Sequence, residues 1–196
     1  SRRQRQMCIR DRYDRIVFDN EHVSFVGCDD ERVILINSFS KTYAMTGWRI
    51  GYILSANKEA MSQMIKVQYY ITACSNDAMQ YAVLTAINEA DGYPDEMCAE
   101  FKARRDIICT RLNAMEGVEC HVPEGAFYVF PKVDIPGMNS QEVAMELLKG
   151  GVLCSPGSAF GPSGEGHLRF AYTISREDIS LGMDKTEQVL KRLRGE

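Results

Sequence analysis

Two short, nearly unbroken apolar runs stand out in the first half of the chain, RVILINSF (32–39) and RIGYILS (49–55). Both favour β-branched and aromatic residues and lack polar alternation. Such runs predict strands buried on both faces, as in a parallel or mixed sheet covered by helices. Upstream, RIVFDNEHVSFV (15–26) reads as a short strand, a turn at Asp19-Asn20 and an irregular return. Downstream the period changes. Residues 57–73 and 75–91 read as helices, the second capped by Ser75 or Asn76. A longer helix over about 94–115 opens at Tyr93-Pro94-Asp95, with Met97, Phe101, Ile108 and Leu112 at helical spacing and Gly117 after its end.

The pattern then shortens. VECHV (118–122) and AFYVFPKV (126–133) are strand-like, joined by a turn at Pro123-Glu124-Gly125. NSQEVAMELLKG (139–150) starts with a capping signature at Asn139 or Ser140 and finishes on glycines. VLCS reads as a short strand, PGSAFGPSGEG (156–166) as a loop and HLRFAYT (167–173) as a strand, before Ser175 caps a helix of about 176–193. This order suggests part of an α/β layer structure over 13–91 and a smaller α+β unit over 92–196.

Composition adds limits. With 45% apolar and 26% charged residues, the chain is an ordinary globular sequence. No apolar run approaches the roughly 18 residues of a membrane span, and no apolar stretch of signal type follows the N-terminal arginines. Seven cysteines are present, an odd number with no C-x-x-C pair. They read as reduced, mostly packed thiols of a cytoplasmic protein. His22, His121 and His167 are scattered, so no metal site is expected. Residues 1–12, SRRQRQMCIRDR, differ from the rest. Without them 18 Lys and Arg stand against 26 Asp and Glu, a net of −8 where the whole chain has −4. That acidic body argues against a nucleic-acid partner. The segment itself resembles one reading frame of a common sequencing-library adapter. On that reading it is a non-native tail, native sequence begins near Tyr13, and the segment carries no weight in reading the fold.

The unusual chemistry lies between the two apolar runs, in NSFSKTYAMTGWRIG (37–51). Lys41 sits among hydroxyl residues with Arg49 eight positions on. A cationic neighbourhood would lower the lysine's pKa toward neutrality and make the amine nucleophilic. Ser38, Ser40, Arg49 and nearby backbone N–H groups could together hold a phosphate. A reactive amine beside a phosphate cradle fits an aldehyde cofactor with a phosphate handle, of which pyridoxal phosphate is the common one. No Walker-type phosphate loop occurs. A lysine and an arginine at this spacing, taken alone, are more often a solvated loop.

Over fourteen consecutive positions SFSKTYAMTGWRIG resembles the lysine signature of the class I/II, fold type I, pyridoxal-phosphate aminotransferases, in particular their aspartate/aromatic branch. YDRIVFDNEHVSF, PEGAFYVFP and PGSAFG…GHLRFAYT resemble further segments of that family. The resemblance implies an α/β fold: the C-terminal part of a mixed, mainly parallel large-domain sheet plus an α+β small domain. It implies that Lys41 forms the Schiff base, that Ser38, Ser40 and Arg49 take the cofactor phosphate, and that Tyr13 bonds the cofactor's phenolic oxygen. Arg169 would grip the substrate α-carboxylate, a planar ion held by two parallel bonds. The activity implied is transamination between an amino acid and a 2-oxo acid by a homodimer, with no membrane partner.

Departures from the family pattern qualify this. Arg10 stands where the family has the aspartate that keeps the pyridinium protonated, and Asp11 is one position out of register. Family members are far longer on the N-terminal side, so the chain reads as a C-terminal half, itself inactive. Ile71 stands near where aspartate-specific relatives place an arginine; aspartate, alanine and aromatic amino acids all stay open as substrates. A β-lyase or decarboxylase of the same fold type, or a non-catalytic fragment, are the alternatives.

Overall fold

The computed structural model describes residues 7–28 and 30–195. The chain divides into two compact units at Cys98/Ala99.

In the first unit three strands form one mixed sheet in the order β1 (Met7–Arg10), β2 (Val33–Ser38), β3 (Gly51–Leu54). β1 pairs with β2 in parallel, from Met7 opposite Val33 to Arg10 opposite Ile36. β2 pairs with β3 antiparallel, from Leu35 opposite Leu54 to Ser38 opposite Gly51. Residues 1–6 of the arginine-rich tail lie outside the described residues. Its Met7–Arg10 form a strand at the edge of the sheet. The reason is general: the edge of β2 offers backbone N–H and C=O groups, and pairing makes no demand on the identity of the partner's side chains. The Asp11 N–H extends the ladder to Ile36 O at 2.9 Å.

The first apolar run behaves as its composition predicts: successive residues Ile34 and Leu35, which face opposite ways, are both buried. The second does not. β3 is exposed along its length, with Leu54 45% accessible. It is the last strand of the sheet, and among the described residues no layer covers both of its faces. The strand expected within 15–26 is also missing. That stretch buries Ile16, then runs irregularly into a 3₁₀ turn at Phe25–Cys28. Its middle is polar, and His22 Nε2 meets Asp11 Oδ2 at 2.8 Å.

Two capped helices follow. In α2 (Lys58–Thr72) the Asn57 side chain accepts the Ala60 N–H at 2.9 Å. In α3 (Asp77–Glu89) Asn76 takes the same role. α3 buries Val83 and Ala86, whereas α2 buries nothing and leaves Ile65, Val67, Tyr69, Tyr70 and Ile71 exposed. α4 (Tyr93–Asn113) runs through the point where the units divide.

The second unit continues from α4 with β4 (Val118–Glu119), β5 (Tyr128–Val129), β6 (Lys132–Val133), α5 (Ser140–Lys149), β7 (Ser155–Pro156), β8 (Leu168–Ala171) and α6 (Arg176–Arg194). All its pairings are antiparallel: β4 with β6, and β5 with β8 with β7. AFYVFPKV is thus two strands serving two sheets. The break falls at Pro131, which has no N–H to give a ladder but accepts the Leu168 N–H at 3.0 Å. VECHV shortens to β4 because the Asn113 amide claims the next peptide, accepting from Cys120 N at 2.8 Å and donating to Cys120 O at 2.9 Å. The short strand expected at VLCS is not formed over 152–154; only Ser155 of it pairs, with Pro156 from the expected loop, as β7. Just after the Pro123–Gly125 turn Ala126 is left-handed, φ 63°. Ile108, Leu112, Val129, Leu147, Leu168, Tyr172 and Leu190 make a dry core. A full capping box at Asn139 and Glu142 starts α5, and the Glu165 carboxylate accepts the Ser140 N–H at 2.6 Å. That bond, with a second from Gly166 N–H, holds the Glu165 carboxyl below its ordinary range.

Candidate active site

The lysine segment leaves β2 as a single helical turn, α1 (Phe39–Thr42), passes a 3₁₀ turn at Thr46–Trp48 and returns as β3. Its backbone is unusual at Ala44 and Arg49, both left-handed with φ 54° and 55°. Left-handed backbone disfavours residues with a Cβ, so the loop's own packing must hold it there.

Thr46 organises the two cations. Its hydroxyl donates to Ser40 O at 2.8 Å and receives Lys41 Nζ at 3.5 Å. Its carbonyl accepts Arg49 Nη1 at 3.1 Å. The amine and the guanidinium are therefore tied to one residue. A concavity of about 230 Å³ opens alongside, lined by Arg12, Asn37, Ser38, Ser40, Arg49 and Gly51 among others. Two buried polar atoms of lining residues, Ser38 Oγ and Arg12 Nε, have no hydrogen-bond partner. The orphaned Ser38 hydroxyl, beside the Arg49 guanidinium, suits an anion with several acceptor oxygens. The observed donors thus fit a phosphate group.

A hydrogen-bond network supports the floor of the loop. Asn37 is buried; its Nδ2 donates to Asp14 Oδ2 at 2.9 Å and to Tyr52 OH at 3.2 Å, while its Oδ1 accepts the Ser38 N–H at 2.6 Å. Thr42 Oγ1 donates to the other Asp14 oxygen at 3.2 Å. Burial raises the Tyr52 phenol above its ordinary pKa, partly countered by the Asn37 bond. Gly51 is required by the same closeness of β2 and β3: a Cβ there would lie 2.5 Å from Asn37 O. Gly47, by contrast, faces open space.

Of the residues singled out from sequence, Ser38, Ser40 and Arg49 share the concavity, and Lys41 joins Arg49 through Thr46. Tyr13 lies outside the residues lining that concavity, in the turn whose Tyr13 O accepts the Ile16 N–H at 3.0 Å. Asp11 bonds His22. Thr46, Asn37, Asp14 and Arg12 were not singled out. Asn37 opens the quoted motif, and an amide at the end of an apolar run was the available signal.

Arg169 belongs to the second unit, on β8. Its guanidinium lies between two rings, 4.7 Å from the Tyr128 centroid and 4.5 Å from the Phe160 centroid. Nη2 reaches Ser155 Oγ at 3.3 Å. Aromatic faces fix the guanidinium plane while leaving its edge for a planar anion.

Comparison with known proteins gives the family. The family model described as "Aminotransferase class I and II" matches residues 11–185. A "Probable aspartate aminotransferase" of Methanocaldococcus jannaschii is 41% identical over 184 residues, covering 91% of this chain and 48% of the relative. An "Aromatic-amino-acid aminotransferase 2" of Thermococcus litoralis is 38% identical, covering 91% and 47%. The solved aromatic aminotransferase of Pyrococcus horikoshii superposes with a TM-score of 0.88 at 36% identity, over 95% of this chain and 51% of that one. The chain spans about half the length of the curated relatives it matches.

Proposed function

The chain belongs to the class I and II aminotransferase family and has the fold type I architecture over about half of its relatives' length; on that premise we propose that the whole protein transfers an amino group between an amino acid and a 2-oxo acid with pyridoxal phosphate. The carrying observation is the loop in which Lys41 and Arg49 are both tied to Thr46, next to a concavity with an unpartnered Ser38 hydroxyl.

Ser38, Ser40 and Arg49 would hold the phosphate, and Lys41 Nζ the aldehyde carbon. When bound, that cofactor supplies a conjugated ring into which the electrons of a substrate Cα bond can spread. Lys41 Nζ would carry the proton from the substrate Cα, and the contact with Thr46 favours one position of its amine. Arg169 would take the substrate α-carboxylate through two parallel N–H bonds, its plane set by Tyr128 and Phe160. Tyr13 would bond the cofactor's phenolic oxygen. Among the described residues no helix is long and apolar enough to cross a membrane. The reading places the protein in the cytoplasm as a homodimer.

The test is chemical and uses this chain. Incubation with pyridoxal phosphate, borohydride reduction and peptide mapping should place the label on Lys41. Inorganic phosphate in excess should suppress it, and Arg49→Ala should lower it several-fold. Label spread evenly over the surface lysines, indifferent to phosphate, would sink the proposal.

A further inference from the structure

Cys109 and Cys120 place two buried thiols 3.9 Å apart, sulfur to sulfur, inside the second unit. Neither has a role in the proposed transamination. The arrangement is built from one face of α4. Arg105, Cys109 and Asn113 follow one another at four-residue spacing, so they line a single stripe. Asn113 clamps the Cys120 peptide from both sides, and Arg105 Nη1 donates to Pro123 O at 3.1 Å. Both ends of segment 120–123 are therefore fastened to the helix, and Cys109 faces Cys120 between them. Among the other described cysteines, Cys28 and Cys74 are exposed and Cys98 and Cys154 half-buried.

The two sulfurs are unequal. Cys120 Sγ donates its proton toward Cys109 Sγ. That bond, with the nearby Arg105 guanidinium, holds the Cys109 thiol below its ordinary range, against opposition from burial and from Asp106. The same bond and burial push the Cys120 thiol up. The Tyr172 phenol is close enough to be raised in part by both thiols, though burial is the main cause.

We propose that Cys109 and Cys120 form an oxidant-reactive dithiol, converted by a hydroperoxide to an internal disulfide that locks the segment after β4 onto α4. Cys109 sulfur attacks a peroxide oxygen, the O–O bond breaks, and Cys109 becomes a sulfenic acid as hydroxide or alkoxide leaves. Cys120 sulfur then attacks Cys109 sulfur, the S–O bond breaks and water leaves. With hydrogen peroxide the sum is two thiols and one peroxide giving one disulfide and two waters. The oxidant takes both electrons. A disulfide needs its sulfurs at about 2 Å, so closure from 3.9 Å asks for less than two ångströms of approach.

The experiment uses the full chain in native buffer. After hydrogen peroxide treatment, remaining thiols are alkylated and the protein is digested without reductant. The expected result is one cross-linked pair, the Cys109 and Cys120 peptides, lighter by two hydrogen masses and separated by dithiothreitol. Far-UV circular dichroism should be unchanged. Cys120→Ser should abolish the cross-link and leave a dimedone-reactive Cys109. A second variant, with the other five cysteines replaced and both partners kept, should still lose two hydrogens. The proposal fails if both thiols remain alkylatable after peroxide. It fails equally if the cross-link forms only in urea, or if other cysteines compete equally for Cys109.

Discussion

Gly51→Ala tests whether the cation loop depends on the closeness of β2 and β3. The new Cβ would lie 2.5 Å from Asn37 O, about 0.9 Å short of the 3.4 Å at which ordinary contact begins, and 3.2 Å from Ser38 Cα and Cβ. Backbone, not a flexible side-chain end, stands in the way, so the strands must part at the Ser38–Gly51 pair. Overpacking of this kind costs about 1–3 kcal/mol. Gly47→Ala is the control: its Cβ meets nothing within 4 Å and its φ is not left-handed. Reducing the unfolded chain's freedom should there be neutral or gain about 0.4–1 kcal/mol. Native-state hydrogen exchange at the Phe39 amide, bonded to Ile50 O at 3.4 Å, reads the local opening. Borohydride trapping at Lys41 reads the site. Gly51→Ala should speed exchange by about 5- to 150-fold and depress trapping, and Gly47→Ala should do neither. Equal behaviour of the two variants would refute the argument that strand closeness holds the loop.

Two predictions concern the second unit. Leu147→Ala removes a fully buried side chain from α5 and should cost about 2–5 kcal/mol in urea denaturation, while exposed Leu148→Ala should change stability by about 0.5 kcal/mol or less. The Glu100 carboxyl is held at about 2, chiefly by Arg176 and then by Arg104. A depressed carboxyl contributes stability above its unfolded pKa, ordinarily 4.5, and loses it as pH falls toward about 2. The gap between wild type and Glu100→Gln, followed by urea midpoints against pH, should therefore be greatest above pH 4.5 and close toward pH 2. A gap independent of pH would exclude the ion pair as its source.

Where sequence periodicity and structure agree, the reason is local. Asn57, Asn76, Asn139 and Ser175 each accept a backbone N–H at a helix start, a bond that depends on a few neighbouring residues. Burial is different. RVILINSF and RIGYILS have the same apolar density, yet Leu35 is buried and Leu54 exposed, because position in the sheet decides and no pattern within a strand records it. The break in AFYVFPKV was readable at Pro131. The shortening of VECHV was not, since it depends on Asn113 folding back across the turn. In the site, Lys41, Ser38, Ser40 and Arg49 could be chosen by chemistry and by a resemblance over fourteen positions. Thr46 could not: a threonine's role as a tether appears only once two left-handed residues bring its hydroxyl and carbonyl to opposite cations.

The two units differ in what maintains them, and that bears on the site. The second has seven large apolar side chains sealed from water around α4, α5 and α6. The first buries Ile16, Ile34, Leu35, Val83 and Ala86, while α2 buries none of its residues. A 15-residue helix without a packed face is marginal in water; near the lysine loop the apolar support is Ile34 and Leu35 of β2 and the Phe39 ring against Tyr43 and Tyr52. What remains is directional: the β2–β3 ladder, the Asn37 amide with three bonds, and Thr46 with three more. Hydrogen bonds of this kind contribute about 1 kcal/mol each; breaking those of the buried Asn37 amide also leaves a buried group unsatisfied and costs more, whereas Thr46 and Arg49 are exposed and water can replace their bonds. A loop held this way keeps its cations in register only while every bond is made. It should lose that register as one cooperative step when the ladder opens, rather than loosening residue by residue.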